Sequence, residues 1–223
     1  MKVSEAVGRR MSVRAFIDTP VPTETIRRLL IAAARAPSGG NLQPWQVAIL
    51  NETRMAEFKV LMERRLAGEP HPGGEPPEYP VYPSNLFEPY RTRRLAVAEE
   101  MYGLLGIERA DRAARLRWFA NNFRFFGAPA AIFCFVDRRM GAAQWSDLGM
   151  FLQTFMLLAQ EAGIDTCPQE CWSQYPRTVA DFCTMPAELL LFCGVAIGHR
   201  DPAAPVNRLQ SSRADPAEWL RVV

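Results

Sequence analysis

A chain of 223 residues, 48% hydrophobic and 22% charged, has the size and balance of one globular domain with a substantial core. Its formal net charge of +2 sets up no strong field for nucleic acid or an anionic membrane surface. No 18-residue stretch is free of charged or strongly polar residues, so no membrane-crossing helix is expected.

The first residues, MKVSEAVGRR, carry no apolar export signal, and residues 3–10 read as a short helix. If the chain then runs extended, Arg10, Ser12 and Arg14 share one side, because side chains alternate with period two. Two guanidiniums flanking a hydroxyl suit a phosphate, although the same pattern also fits a solvated basic surface. Pro20 and Pro22 break the chain, and Thr23 is placed to cap a helix with an apolar stripe of Ile26, Leu29, Leu30 and Ala33. That helix stops at Pro37. The turn Ser38-Gly39-Gly40-Asn41 lets backbone N–H groups approach a ligand, and Gln43-Pro44-Trp45 fixes the exit into a strand at 46–50. An ordinary helix stop and loop would read the same way.

A helix at 53–67 follows, with Met55, Phe58, Leu61 and Met62 inward. Residues 68–89 then hold seven prolines and three glycines, too many for a helix or a ladder strand. A loop of that length inside a compact domain is commonly a lid or a disordered segment. Residues 90–105 and 110–122 look helical and basic. The run AAIFCFV at 130–136 is a strand buried on both faces, and LLLFCGVAIG at 189–198 is another. Between them, 145–162 is a helix apolar almost all round, as at a fold centre or a subunit interface. Residues 199–223 form an extended tail whose Asn207, Arg208 and Arg213 serve either a ligand or a merely polar terminus.

Strands alternating with helices argue for a layered α+β or α/β domain. There is no GxGxxG after the first strand and no GxxxxGK[ST], so neither dinucleotide nor P-loop binding is supported. No Ser-His-Asp or Cys-His arrangement stands out. The five cysteines (Cys134, Cys167, Cys171, Cys183 and Cys193) are an odd number without an export signal, which points to reduced thiols in a cytoplasm. His71 and His199 lie far in sequence from Cys167 and Cys171, so no metal site is expected.

Several of these segments, taken in order, resemble the FMN-dependent nitroreductase family. They are RRMSVRAF (9–16), APSGGNLQPW (36–45), FFGAPAAIFCF (125–135), DLGMFLQTFMLLAQEAGIDTCPQ (147–169), CGVAIGHRDPAAPVNRLQSSR (193–213) and PAEWL (216–220). The resemblance implies a single α+β domain over residues 1–223, with a central, mostly antiparallel sheet flanked by helices and a variable Pro-rich lid at about 66–124. It further implies a domain-swapped homodimer in which the C-terminal tail crosses to the partner and adds a strand there. The helix at 147–162 would be the dimer core, since Phe151, Phe155, Met156 and Leu158 are too many for one face to hide.

By position, the resemblance puts Arg10, Ser12 and Arg14 at the phosphate, ribityl chain and polar ring edge of FMN. Arg213 completes the phosphate clamp. Pro168, Gln169 and Glu170 face the ring, and Asn122 is favoured over Asn121 as a further contact. Pro37, Ser38, Gly39, Gly40 and Asn41 come from the partner subunit. The flavin carries the chemistry, so no catalytic side chain is required. NADH or NADPH would reduce FMN in a ping-pong cycle, and a nitroaromatic, quinone or enone would then take the electrons.

Three other readings stay open. Some relatives dehalogenate iodotyrosine with a Glu-Tyr-Lys set in the lid. This lid has Glu75, Glu78, Tyr79 and Tyr82, but Lys2 and Lys59 are the lysines of the chain and neither lies there. Another branch fragments its own flavin to a benzimidazole. A flavin sensor or storage protein without turnover is the reading from outside enzymology. Acceptor choice is expected to lie in 66–124, where Tyr79, Tyr82, Phe87 and Tyr90 are available to stack on a flat ring. Behind them stand Arg91, Arg93, Arg94, Arg115, Arg117 and Arg124. These form either a solvated basic face or a source of one arginine that pairs with a substrate carboxylate, as nitrobenzoate would offer.

Overall fold

The computed structural model describes residues 1–67 and 74–223. The start of the Pro-rich loop, with His71, lies outside the described residues. In chain order the elements are α1 (Val3–Arg9), β1 (Phe16–Ile17), α2 (Thr23–Ala33), β2 (Gln46–Leu50), α3 (Glu52–Leu66), α4 (Tyr90–Leu104) and α5 (Arg112–Phe119). They continue with β3 (Ala130–Asp137), α6 (Ala142–Glu161), β4 (Asp165–Gln169), α7 (Pro176–Phe182) and β5 (Leu189–Arg200).

The long strand β5 organises the sheet. β3 pairs along one edge of it, and β4 and β1 follow one another along the other; β2 extends the sheet beyond β3. All of these pairings are antiparallel. Strand β3 shows why its sequence is a continuous apolar run. Ala130, Ile132, Cys134 and Val136 pack on the layer that holds α2 and α6. The alternate residues Ala131, Phe133 and Phe135 pack on the layer that holds α3 and α7. Both faces are buried, so polar alternation is lost while period two survives in the packing.

The second layer is an aromatic cluster around Trp172, whose ring centroid lies 5.4 Å from Phe58, 5.4 Å from Phe123, 4.7 Å from Phe125 and 5.1 Å from Phe133. The cluster reaches its position through a 3-10 stretch, Ala120–Gly127, in which Phe125 and Phe126 adopt positive φ of 51° and 53°. The helix expected over 110–122 ends at Phe119, where the chain tightens into the 3-10 stretch, and the two left-handed residues then turn it into β3.

Two further expectations are corrected. Pro22 occupies the cap of α2, and Thr23 is its first helical residue, with Oγ1 accepting a hydrogen bond from Asn51 Nδ2 at 3.0 Å. Phe151, Phe155 and Met156 are buried within the protomer, and Leu158 is half-buried against the same core. Helix α6 runs between the sheet, α1 and α2, so these residues are covered without a partner. Apolar side chains left in solvent include Val3 (75% exposed), Val7, Ile31 (61%), Met150 on α6 itself, and Trp219 (67%) and Leu220 in the tail.

Candidate functional site

The segment after α1 leaves the helix in extended geometry, with Arg10 at ψ 128°. It runs beside β4: Ser12 forms a parallel bridge with Thr166, and the Val13 N–H donates to the Thr166 carbonyl at 3.1 Å. A second tie comes from the tail. The Arg14 N–H donates to Asn207 Oδ1 at 2.9 Å, and Asn207 Nδ2 donates to the carbonyls of Ala15 (2.8 Å) and Asp201 (2.9 Å). Asn207 thus fixes the tail to the Arg-Ser-Arg segment. Leu209 is buried just beyond it, and the chain then delivers Ser211 and Arg213.

These pieces enclose a cavity of about 920 Å³ that brings together Arg10, Ser12, Arg14 and Arg213, with Arg9, Asp165 and Arg200 also on its wall. Arg200 is neutralised by Asp165, its Nε donating to both carboxylate oxygens at 3.0 Å. Among the described residues, no carboxylate forms an ion pair with Arg10, Arg14 or Arg213. Arg213 Nη1 is held by the Ser211 carbonyl and hydroxyl, both at 2.8 Å, and Arg14 Nη1 by the Ser12 carbonyl at 3.2 Å. Guanidiniums held by neutral acceptors and aimed into one cavity make an anion site.

A second cavity, of about 640 Å³, shares Arg14, Val97 and Leu209 with the first. One wall is the end of β4 and the turn after it (Pro168, Gln169, Glu170 and Cys171). The opposite side brings Tyr82, Arg94, Trp118, Phe119 and Phe126. Asn122, and not Asn121, lines it. Gln169 Nε2 donates to the Asn122 carbonyl at 2.7 Å, and Asn122 Nδ2 donates to the Phe119 carbonyl at 2.9 Å, so the two amides hold each other in place. Gln169 Oε1 is buried with no partner among the described residues. A buried acceptor of this kind calls for a donor from water or from a bound molecule. Glu170 stays accessible from the cavity, and partial desolvation there pushes its carboxyl above the usual range.

Residues 37–41 line neither cavity. The Gly39 N–H donates to both oxygens of the buried Asp147 carboxylate, at 3.2 and 3.3 Å, and Trp45 stacks on Phe151 with ring centroids 4.9 Å apart. Both ends of the turn are therefore pinned to α6. Gly40 and Asn41 each take φ of 58°, a conformation that favours Gly and Asn.

The variable segment sorts itself clearly. Tyr79 is removed from the ring-stacking candidates: its hydroxyl donates to the Phe192 carbonyl and its ring packs edge-on against Trp145, so burial pushes its phenol up. Phe87 and Tyr90 pack on each other outside the cavity, which leaves Tyr82 within it. Glu75 accepts from the N–H groups of Arg177 and Thr178 at the start of α7, and Glu78 pairs with Arg138. Four of the six arginines are paired: Arg91 with Glu88, Arg93 with Glu218, Arg115 with Glu99 and Arg124 with Glu63. Arg117 lies outside the cavity. Arg94 lines it, with its guanidinium 4.5 Å from the Tyr82 ring centroid.

Sequence reasoning named Asn207 among the tail residues that serve either a ligand or a polar terminus but did not foresee its tie to Arg14, and it did not find Leu209 or Trp118. An Asn in a polar tail has no periodicity to mark it, and the aromatic wall comes from helices whose register was not legible. Among the described residues, no group of three His, Cys, Asp or Glu side chains could hold a metal ion, and no helix is long and apolar enough to cross a membrane. All five cysteines are free. Burial pushes the Cys134 and Cys167 thiols up to about 12 and about 11.

Comparison with known proteins places this geometry in context. The model of the Nitroreductase family matches residues 7–199. A nitrobenzene nitroreductase of Ectopseudomonas oleovorans is 34% identical over 221 residues, covering 99% of this chain and 96% of the relative. A 4-nitrobenzoate reductase of Pseudomonas putida is 34% identical over 209 residues, covering 93% of this chain and 89% of the relative. The solved structure of the FMN and NADPH-dependent nitroreductase NfnB from sphigopyxis sp. strain HMH superposes with a TM-score of 0.94 at 43% identity, covering 100% of this chain and 99% of the other.

Proposed function

This chain belongs to the nitroreductase family, and from that premise we propose that it holds FMN across the two joined cavities and reduces a nitroaromatic acceptor with electrons from NAD(P)H. One observation carries the reading. A basic cavity with uncountered arginines meets a largely apolar cavity, lined by Trp118, Phe119 and Phe126, at Arg14, which suits a molecule with an anionic head and an aromatic ring. Arg10, Arg14 and Arg213 hold the phosphate, and Ser12 offers a hydroxyl beside it. Pro168, Gln169, Glu170 and Asn122 flank the ring, where the unpartnered Gln169 Oε1 accepts from a ring N–H. When bound there, FMN supplies the redox chemistry, taking a hydride from NAD(P)H and passing electrons to the nitro group. Trp118, Phe119 and Phe126 keep water from the acceptor and give it a surface to stack on.

The residues of 37–41 complete the site from a second copy of the chain in a homodimer, the turn being held in position by the Gly39 N–H on Asp147. The exposed Val3, Ile31, Met150, Trp219 and Leu220 supply the apolar surface for that assembly, and the tail crosses to the partner. The whole chain acts as one domain, with 66–124 as the lid. Five free thiols suit a reducing cytoplasm. Dehalogenation by a lid Glu-Tyr set is disfavoured, because Glu75, Glu78 and Tyr79 are committed to structural contacts.

The test is direct. Purified protein should show flavin absorbance, bleach anaerobically with NADH or NADPH, and recover colour on adding a nitroaromatic. Protein without flavin after reconstitution would refute the site. Bound flavin that neither nucleotide bleaches would refute the enzyme and favour a storage protein.

A further inference from the structure

We propose that Arg94 is a carboxylate-binding subsite in the second cavity, selecting aromatic acceptors that carry an anionic group; this rests on the nitroaromatic reading above. Of the eight arginines in residues 90–124, the cavity wall carries Arg94, while Arg109 and Arg112 lie outside it and the other five are likewise removed. Four are paired with glutamates, and Arg117 lies outside the cavity. Arg94 stands on the face of α4 that also carries Val97, Ala98 and Met101, positions spaced 3, 4 and 7 residues onward, and all line the cavity. No element of the protomer buries that face, since α4 has no buried residue.

The contact with Tyr82 sets the guanidinium over the ring at 4.5 Å. A cation–π contact of this kind orients the fork through its face and leaves its N–H donors unused. Among the described residues, no carboxylate lies within ion-pair distance of Arg94. Glu170 and Arg14 are the other charged groups on this cavity's wall. Arg14 is committed to the phosphate end. Glu170 sits beside the proposed ring position and disfavours a substrate anion there. A benzoate-like acceptor therefore gains by turning its carboxylate to Arg94, where two parallel hydrogen bonds are available, and its reducible group toward Gln169 and Glu170. A neutral nitroarene has no use for this arginine.

The experiment uses the flavin-loaded enzyme, reduced in advance and mixed anaerobically with 4-nitrobenzoate or its methyl ester. The quantity read is the ratio of the two second-order rate constants. Arg94→Met keeps an apolar stem against Tyr82 and removes the fork; it should lower the acid-to-ester ratio roughly tenfold or more, as expected for losing a charge-assisted pair. Arg94→Lys should recover part of that ratio, and Arg91→Met, at an exposed arginine, should leave it unchanged. Binding of benzoate, followed by quenching of tryptophan fluorescence with Trp118 in the cavity wall, should weaken about tenfold in Arg94→Met. An unchanged ratio and unchanged benzoate binding in Arg94→Met would overturn the subsite while leaving the reductase standing. The same holds if Arg94→Met slows reduction by NADPH but not by NADH while the ratio holds, since the arginine would then serve the nucleotide phosphate. If wild-type enzyme reduces neither compound, the nitroaromatic reading itself falls and the subsite with it.

Discussion

Gly194→Ala should unseat the candidate flavin-facing wall from behind. A Cβ at Gly194 would lie 2.5 Å from Trp172 Cδ1, 2.7 Å from Trp172 Nε1 and 3.1 Å from Phe133 Cε1. None of these is the end of a flexible chain. Trp172 is fully buried and enclosed by Phe58, Phe123, Phe125 and Phe133, so the ring has no open direction in which to yield. Inserting one carbon into such a core costs about 1–3 kcal/mol. At about 2–4 °C per kcal/mol for a chain of this size, Tm should fall by roughly 2–12 °C. The displacement has a second effect, because Trp172 follows Glu170 and Cys171 by one or two residues and any backbone shift reaches the cavity wall. Calorimetry of Gly194→Ala beside Gly149→Ala separates packing from composition: the latter glycine is helical, with nothing within 4 Å of its added Cβ, and the change should stabilise by about 0.5–1 kcal/mol. Equal Tm and equal flavin retention in Gly194→Ala and wild type would refute the reasoning.

Arg14→Glu should abolish tight flavin binding. Losing one charge-assisted bond costs about 1.5–3 kcal/mol and reversal costs more, so full yellow occupancy after dialysis would remove Arg14 from the site. Asp165→Asn leaves Arg200 without its counter-charge and should lower stability by about 2–4 kcal/mol, read as the urea midpoint; an unchanged midpoint would show the pair to be dispensable. Removing residues 215–223 strips the exposed Trp219 and Leu220 and should shift the protein from dimer to monomer in sedimentation at micromolar concentration; a truncated chain that remains fully dimeric would exclude the tail from assembly.

The legible parts of the fold were those in which one periodicity ran for many residues. Strand β3 and helix α6 could be read because their runs are long and apolar, and β2 matched at both ends. Strand β4 was missed because it is five residues long and carries Pro168, which cannot donate to a ladder. It is a strand because β5 and the Ser12 segment hold it from either side, a non-local cause that no window of sequence contains. An all-round apolar helix is compatible with an interface or with a position between layers; packing against the sheet, α1 and α2 accounts for Phe151, Phe155 and Met156, while Met150 on the same helix stays in solvent. Within the site, Arg10, Ser12 and Arg14 were visible because period two aligns them. Arg94 was one of six, and only the glutamates opposite its neighbours single it out.

Asn207 ties together residues nearly two hundred positions apart, its side chain reaching the N–H of Arg14 across a separation of 193. Arg14 and Arg213 therefore meet only when the last part of the chain has emerged and closed one of the longest loops the fold contains. Closing such a loop is entropically costly and ordinarily late. A cofactor gripped by both arginines would find its full site only after the sheet between them has formed. Flavin loading should accordingly coincide with docking of the tail, and a cell short of flavin would accumulate chains whose sheet is formed while the Arg-Ser-Arg segment and the tail remain unjoined.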